Sequence, residues 1–121
     1  MHESVRFLFD AASASAKTKL ERSCWQCADA NTPPTVRAVF FHADLHGDGR
    51  LGIYYRETIS CKNPRTPYTL FVYLHECAHA VFHDDRNPDN WSDEAIESRA
   101  NAWARHRMLK YGIAIPRLAR N

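Results

Sequence analysis

Residues Leu74–His83 read LHECAHAVFH, and this spacing leaves the backbone little choice. His75, His79 and His83 recur every fourth residue, the spacing that gathers side chains on one face of an α-helix. Phe71, Leu74, Ala78, Val81 and Phe82 supply an apolar reverse face. The helix therefore turns one side to a core and a histidine stripe to a cleft. Glu76, next to the first histidine, is the residue that separates a chemical site from a helix that only packs.

The rest of the chain frames this helix. Its 121 residues, 45% of them hydrophobic, suit one compact domain over 1–121, with a core that needs neither metal nor disulfide to form. A formal net charge of +2 is too small to argue for nucleic acid as the main partner. No apolar run approaches the ~18 residues of a membrane span. The start, MHESVRFLFD, is interrupted by Arg6 and Asp10 and does not read as a secretion signal, so a cytoplasmic location without membrane is expected. Cys24, Cys27, Cys61 and Cys77 are then reduced thiols. Cys24 and Cys27 form a C-x-x-C, but Cys61 and Cys77 are not spaced as a second pair, so Cys24 and Cys27 read as ordinary helix cysteines.

The expected fold class is α+β. One long N-terminal helix spans 2–29, with Val5, Leu8, Phe9, Ala12, Ala16, Leu20, Cys24 and Cys27 at helical steps. NTPPT at 31–35 stops it. Residues 35–44 and 51–60 are rich in β-branched and aromatic side chains and flank LHGDGR, the pattern of a small antiparallel β-hairpin. CKNPRTP at 61–67 is a loop, and the histidine helix follows over 68–83. After a loop at 84–91, Ser92 caps a last helix that carries Asp93 and Glu94 in its first turn and runs to about Tyr111, where Gly112 ends it.

His75, Glu76 and His79 form H-E-x-x-H. Two imidazoles four residues apart on a helix can grip one Zn²⁺ at about 2.0–2.1 Å each. The intervening glutamate lies at the edge of that face, placed to act as general base on the zinc's water rather than as a ligand. A catalytic zinc needs a third protein ligand. Asp85 has the six-residue spacing of enzymes that place a glycine at the helix turn, but Phe82 occupies that position here. His83 would line up with the other two histidines along a straight helix, so it suits support of the site or the surface. Glu97 lies 18 residues past His79 (97 − 79) on the next helix and is favoured, with Glu94 as its rival one turn earlier. Asn101, four residues beyond Glu97, is placed to hydrogen-bond a ligand histidine from behind.

H-E-x-x-H followed by a helix-borne glutamate resembles the gluzincin metallopeptidases. The local text, LHECAHAVFH and then EAIESRANAWARHRM, is most similar to the ImmA/IrrE-type family. The matching positions are His75, Glu76, His79 and His83, then Glu97, Ala100, Asn101, Trp103 and Ala104. The resemblance covers about residues 50–111; Cys77 departs from the small or apolar residue usual there. It implies a minimal zincin-like domain acting as a zinc endopeptidase, with His75, His79 and Glu97 as ligands, Glu76 as base and a protein or peptide substrate, often a regulatory one.

The alternative is a catalytically inactive zinc-binding module of the same fold, acting in protein- or DNA-associated regulation. Tyr54, Tyr55, Tyr68 and Tyr111 are candidates to stabilise an oxyanion. His106 lies about 180° from Glu97 round its helix and is less suited. The strand at Ile53–Ser60 is a candidate edge for an extended peptide. Cys77 falls about 200° from His75 and faces away from the metal, whereas Cys61 could approach it. Arg105, Arg107, Lys110, Arg117 and Arg120 read as a solvated basic face, with contact to nucleic acid as the minority reading.

Overall fold

The computed structural model describes residues 3–41 and 52–117. LHGDGR and Arg120, both assigned above, lie outside the described residues. The elements run α1 (Glu3–Ala14), α2 (Lys19–Asn31), β1 (Arg37–Phe41), β2 (Gly52–Tyr55), β3 (Thr58–Lys62), α3 (Pro67–Val81) and α4 (Asp93–Lys110). The fold is α+β, as expected, with four helices and one three-stranded mixed sheet among these residues.

Two expectations about the elements are corrected, and a third, the buried face of α3, below. The single N-terminal helix is two. Thr18 is the N-cap of α2, accepting from the Glu21 N–H at 3.0 Å, and Glu21 reaches back to the Lys17 N–H at 2.6 Å. This Thr-x-x-Glu start signal lies inside the apolar stripe, and it wins because satisfying orphan donors outweighs continuing a helix through Ser15 and Lys17. The hairpin is also elsewhere. Residues 51–60 are not one strand: β2 and β3 are the antiparallel arms, joined by Arg56 and Glu57 at φ 50° and 61°. Two consecutive left-handed residues make the tight turn whose twist matches paired strands. It usually uses Asn or Gly, and its absence from the residue pattern hid it. Strand β1 pairs with β3 in parallel, Arg37 opposite Thr58 through Phe41 opposite Lys62, giving the order β1-β3-β2. Cys61 and Lys62 thus belong to β3 rather than to a loop.

The two long helices are closed by local chemistry. Thr66 caps α3 in a reciprocal box with Thr69, and Pro67 occupies the first turn, where a missing N–H costs nothing. At the other end His83 takes φ 55°, the His83 N–H donates to Ala80 O at 3.3 Å, and the Asp84 N–H donates to His79 O at 2.9 Å. That is a Schellman turn with histidine where glycine is usual. Helix α4 starts at Ser92, which accepts from the Ala95 N–H at 3.1 Å. It ends in the same motif with Gly112 at φ 69°, as anticipated.

The core gathers between α2, α3, α4 and the sheet. Phe9, Trp25, Phe40 and Tyr73 form an edge-to-face cluster, with ring centroids 5.3–6.0 Å apart for contacting pairs. They tie α1, α2, β1 and α3 together. The buried face of α3 comprises Leu70, Tyr73, Leu74, Cys77, Ala78 and Ala80. It is rotated from the expected one: Val81 is exposed, and Phe82 packs instead against Arg99. The Tyr73 hydroxyl makes a buried 2.6 Å hydrogen bond with Thr32 Oγ1, which also donates to Ala28 O at 2.7 Å. Tyr73→Phe removes one buried hydrogen bond while keeping the ring. It should cost about 1 kcal/mol and lower the thermal midpoint by about 3–5 °C, measured by circular dichroism. Tyr73→Ala should cost about 3–5 kcal/mol.

Candidate metal centre

Helix α4 lies against α3 through Ile96, Ala100, Ala104 and Met108, a buried row at four-residue steps. The small Ala100 and Ala104 let the helices approach closely, so the neighbouring stripe of α4, Glu97 and Asn101, meets the histidine stripe of α3. Glu97 Oε2 is 2.7 Å from His75 Nε2, and Glu97 Oε1 is 3.4 Å from His79 Nε2. The two Nε2 atoms are 3.1 Å apart.

Both rings are fixed from behind. His75 Nδ1 is 2.7 Å from Asn101 Oδ1, and His79 Nδ1 is 2.8 Å from Asp84 Oδ2. Each partner is an oxygen acceptor, so each Nδ1 carries the hydrogen and donates it. In the neutral rings both Nε2 atoms then present lone pairs, and they converge with a carboxylate. With neutral rings these are acceptors 2.7–3.4 Å apart, an arrangement that either a shared proton or a bound cation relieves. The donor set fits zinc: two imidazoles and a carboxylate are ordinary zinc ligands, and a tetrahedron of ~2.0–2.1 Å bonds has edges of about 3.3 Å. Donor atoms of His75, Glu76 and His79 also lie within 4.8 Å of one another, a group that could hold a metal ion. Within it Glu76 stands 3.9 Å from His75 Nε2, further back than Glu97 at 2.7 Å.

Glu76 is 8% exposed. Burial pushes its carboxyl up to about 7; His75 opposes the shift, Glu97 adds to it, and a backbone hydrogen bond from Tyr54 opposes it. Tyr54 lies on β2, so the N–H that holds Glu76 comes from the sheet edge. This meeting of strand and helix needs Gly52. A Cβ there would stand 3.0 Å from Val72 Cγ1, 3.2 Å from Glu76 Cγ and 3.3 Å from Cys61 Cβ. An open cleft of about 240 Å³ runs past the donors, lined by Tyr54, His79, Asp85, Asp93, Ile96 and Glu97.

The structure brings together His75, Glu76, His79, Glu97 and Asn101 as the sequence suggested. Of the two places expected for His83, behind the site or at the surface, it takes the surface. The helix ends before it and its backbone turns left-handed, so its ring faces outward and its Nδ1 is 2.7 Å from Arg86 Nη2. Asp85 lines the cleft, and Glu94 is exposed in the first turn of α4. Of the four candidate tyrosines only Tyr54 lines this cleft; Tyr55 stacks with Arg56, Tyr68 lies beside Lys62 and Val72, and Tyr111 caps the far end of α4. Cys77 is buried in the core, as its angle on the helix implied. Cys61 is buried too, and burial followed by the Glu76 charge pushes its thiol well up. Cys24 and Cys27 are core thiols pushed up to about 11 and about 12, chiefly by burial.

Asp84 and Arg99 were missed. Asp84 stands beside Asp85 in sequence with no pattern to mark it, and only the Schellman turn folds it back over His79. Arg99 Nη2 donates to Asp84 Oδ1 at 2.7 Å. No family model matches the chain, and comparison with curated proteins and with solved structures returned no match.

Glu76 yields a pH prediction for the metal-free chain. Its carboxyl titrates at about 7 when folded, against an ordinary value of 4.5. The folded state therefore binds the extra proton between these values, and stability falls as pH rises through that window. Glu76→Gln removes this penalty. The variant should match the wild type near pH 4.5 and exceed it above pH 7 by on the order of 3 kcal/mol, read from urea unfolding of the two metal-free proteins across pH.

Proposed function

We propose that the chain is a zinc-dependent endopeptidase in which His75, His79 and Glu97 hold the metal and Glu76 moves the proton. One observation supports this above the rest. Two imidazoles locked as Nδ1–H tautomers aim their Nε2 lone pairs, with a carboxylate, at one point beside an open cleft. When bound, zinc supplies a Lewis acid for the scissile carbonyl and acidifies a water.

The chain's own groups do the rest. Glu76, buried 3.9 Å from His75 Nε2, is placed to take a proton and pass it to a leaving amine. The Tyr54 N–H orients that carboxylate, and burial keeps bulk water from competing for it. Asn101 and Asp84 each fix the orientation and tautomer of one ligand ring. Strand β2 is an outer strand of the sheet beside the cleft, so an extended peptide laid along it would present its backbone to Glu76.

Elemental analysis should find about one zinc per chain in the wild type and most of it lost in Glu97→Ala, as expected for a three-ligand site. Glu76→Gln should keep the zinc and lose roughly 10²–10⁴-fold in hydrolysis of an unfolded protein substrate. A wild type that takes up no zinc when offered it would sink the proposal. Full biological action of Glu76→Gln with its zinc in place would favour the non-catalytic zinc module.

A further inference from the structure

We propose that Arg99 is a positioning residue for the metal centre, gripped by two aromatic rings so that it fixes Asp84 and, through Asp84, the tautomer and plane of His79. The assignment rests on the zinc reading above.

The chain of contacts is continuous. The Arg99 guanidinium carbon is 3.9 Å from the Trp91 ring centroid and 4.2 Å from that of Phe82. Its Nη2 donates to Asp84 Oδ1 at 2.7 Å, and Asp84 Oδ2 accepts from His79 Nδ1 at 2.8 Å. Both carboxylate oxygens are thus used, one for the arginine and one for the histidine. The Asp84 side chain is only 5% exposed and that of Arg99 23%, so solvent screens this pair little and its geometry is stiff. Phe82 and Trp91 stand at the two ends of the loop between α3 and α4. The Trp91 end is pinned by Asn87, which accepts from the Trp91 N–H at 2.9 Å and donates to Trp91 O at 2.8 Å.

Arginine is the residue this place requires. Its guanidinium is flat and delocalised, so it can lie against ring faces while its edge donates in a fixed direction. Lysine has a round, strongly hydrated charge and cannot do both. Arg99 also stands two residues from Glu97 on α4. One helix therefore supplies a candidate ligand and the brace for another ligand on the facing helix. Without the brace, Asp84 is a nearly buried carboxylate bound only to His79, free to swing and to let the ring rotate.

The test is equilibrium zinc binding, by competition with a chromophoric chelator near neutral pH, together with the visible spectrum of the Co²⁺-loaded protein. The proteins are the wild type, Arg99→Lys, Arg99→Met, Asp84→Asn and the two double variants. Each Arg99 variant should bind zinc about tenfold more weakly or worse, in the range typical when support behind a metal ligand is removed, and should shift the cobalt bands. In the Asp84→Asn background the same replacements should change affinity by less than about twofold, because the brace then has nothing to hold. Arg99→Lys decides the matter should Arg99→Met fail to fold. Wild-type affinity and an unchanged cobalt spectrum in Arg99→Lys would overturn the assignment, as would losses that add in full to that of Asp84→Asn. A wild type with no zinc affinity would overturn the zinc reading itself, and this inference with it.

Discussion

Ala100 and Ala104 of α4 are fully buried where that helix crosses α3, and the donor geometry depends on this close approach. A larger side chain at either position would push the helices apart and carry Glu97 away from His75. The site is built between two regular helices rather than on loops, which is how rigid placement of ligands is ordinarily achieved.

That placement works against stability. Glu76, Asp84 and the two imidazoles are withdrawn from water, and in the metal-free chain Glu76 resists ionising. The aromatic cluster of Phe9, Trp25, Phe40 and Tyr73 and the capped ends of α3 and α4 offset this strain. The aromatic cluster packs on the Tyr73 side of α3, so the helix is fixed by its core face and leaves its polar face to chemistry. Gly52 belongs to the same design: it lets the sheet edge come near enough for a backbone N–H to hold Glu76.

Features that follow from local spacing were legible in the sequence. The histidine helix, the Ser92 cap, the Gly112 stop and the placement of Asn101 one turn beyond Glu97 each rest on steps of three or four residues or on a cap. What escaped depends on non-local pairing or on unusual residues in special backbone positions. The parallel pairing of β1 with β3 joins segments separated by a whole strand. The turn at Arg56 and Glu57 and the helix stop at His83 use left-handed backbone without glycine or asparagine. Asp84 was invisible because its position follows from that stop. The break at Thr18 was legible as Thr-x-x-Glu, but an apolar stripe running across it masked the signal.

All four cysteines are at 0% exposure in the folded chain, and under the proposed zinc reading this bears on how a metal would reach the site. Folded, it offers zinc only nitrogen and oxygen donors. Unfolded, it exposes four thiols that bind soft and borderline metals readily as thiolates. The same ion is then contested by two states of one chain, and metal bound to the unfolded form subtracts from what the native site gains by binding. Order of events decides the outcome. On the zinc reading proposed above, a chain that buried its sulfur before meeting zinc would leave the ion to the histidines, whereas zinc arriving first would tie together thiols that belong on α2, β3 and α3 and hold the chain away from its own core.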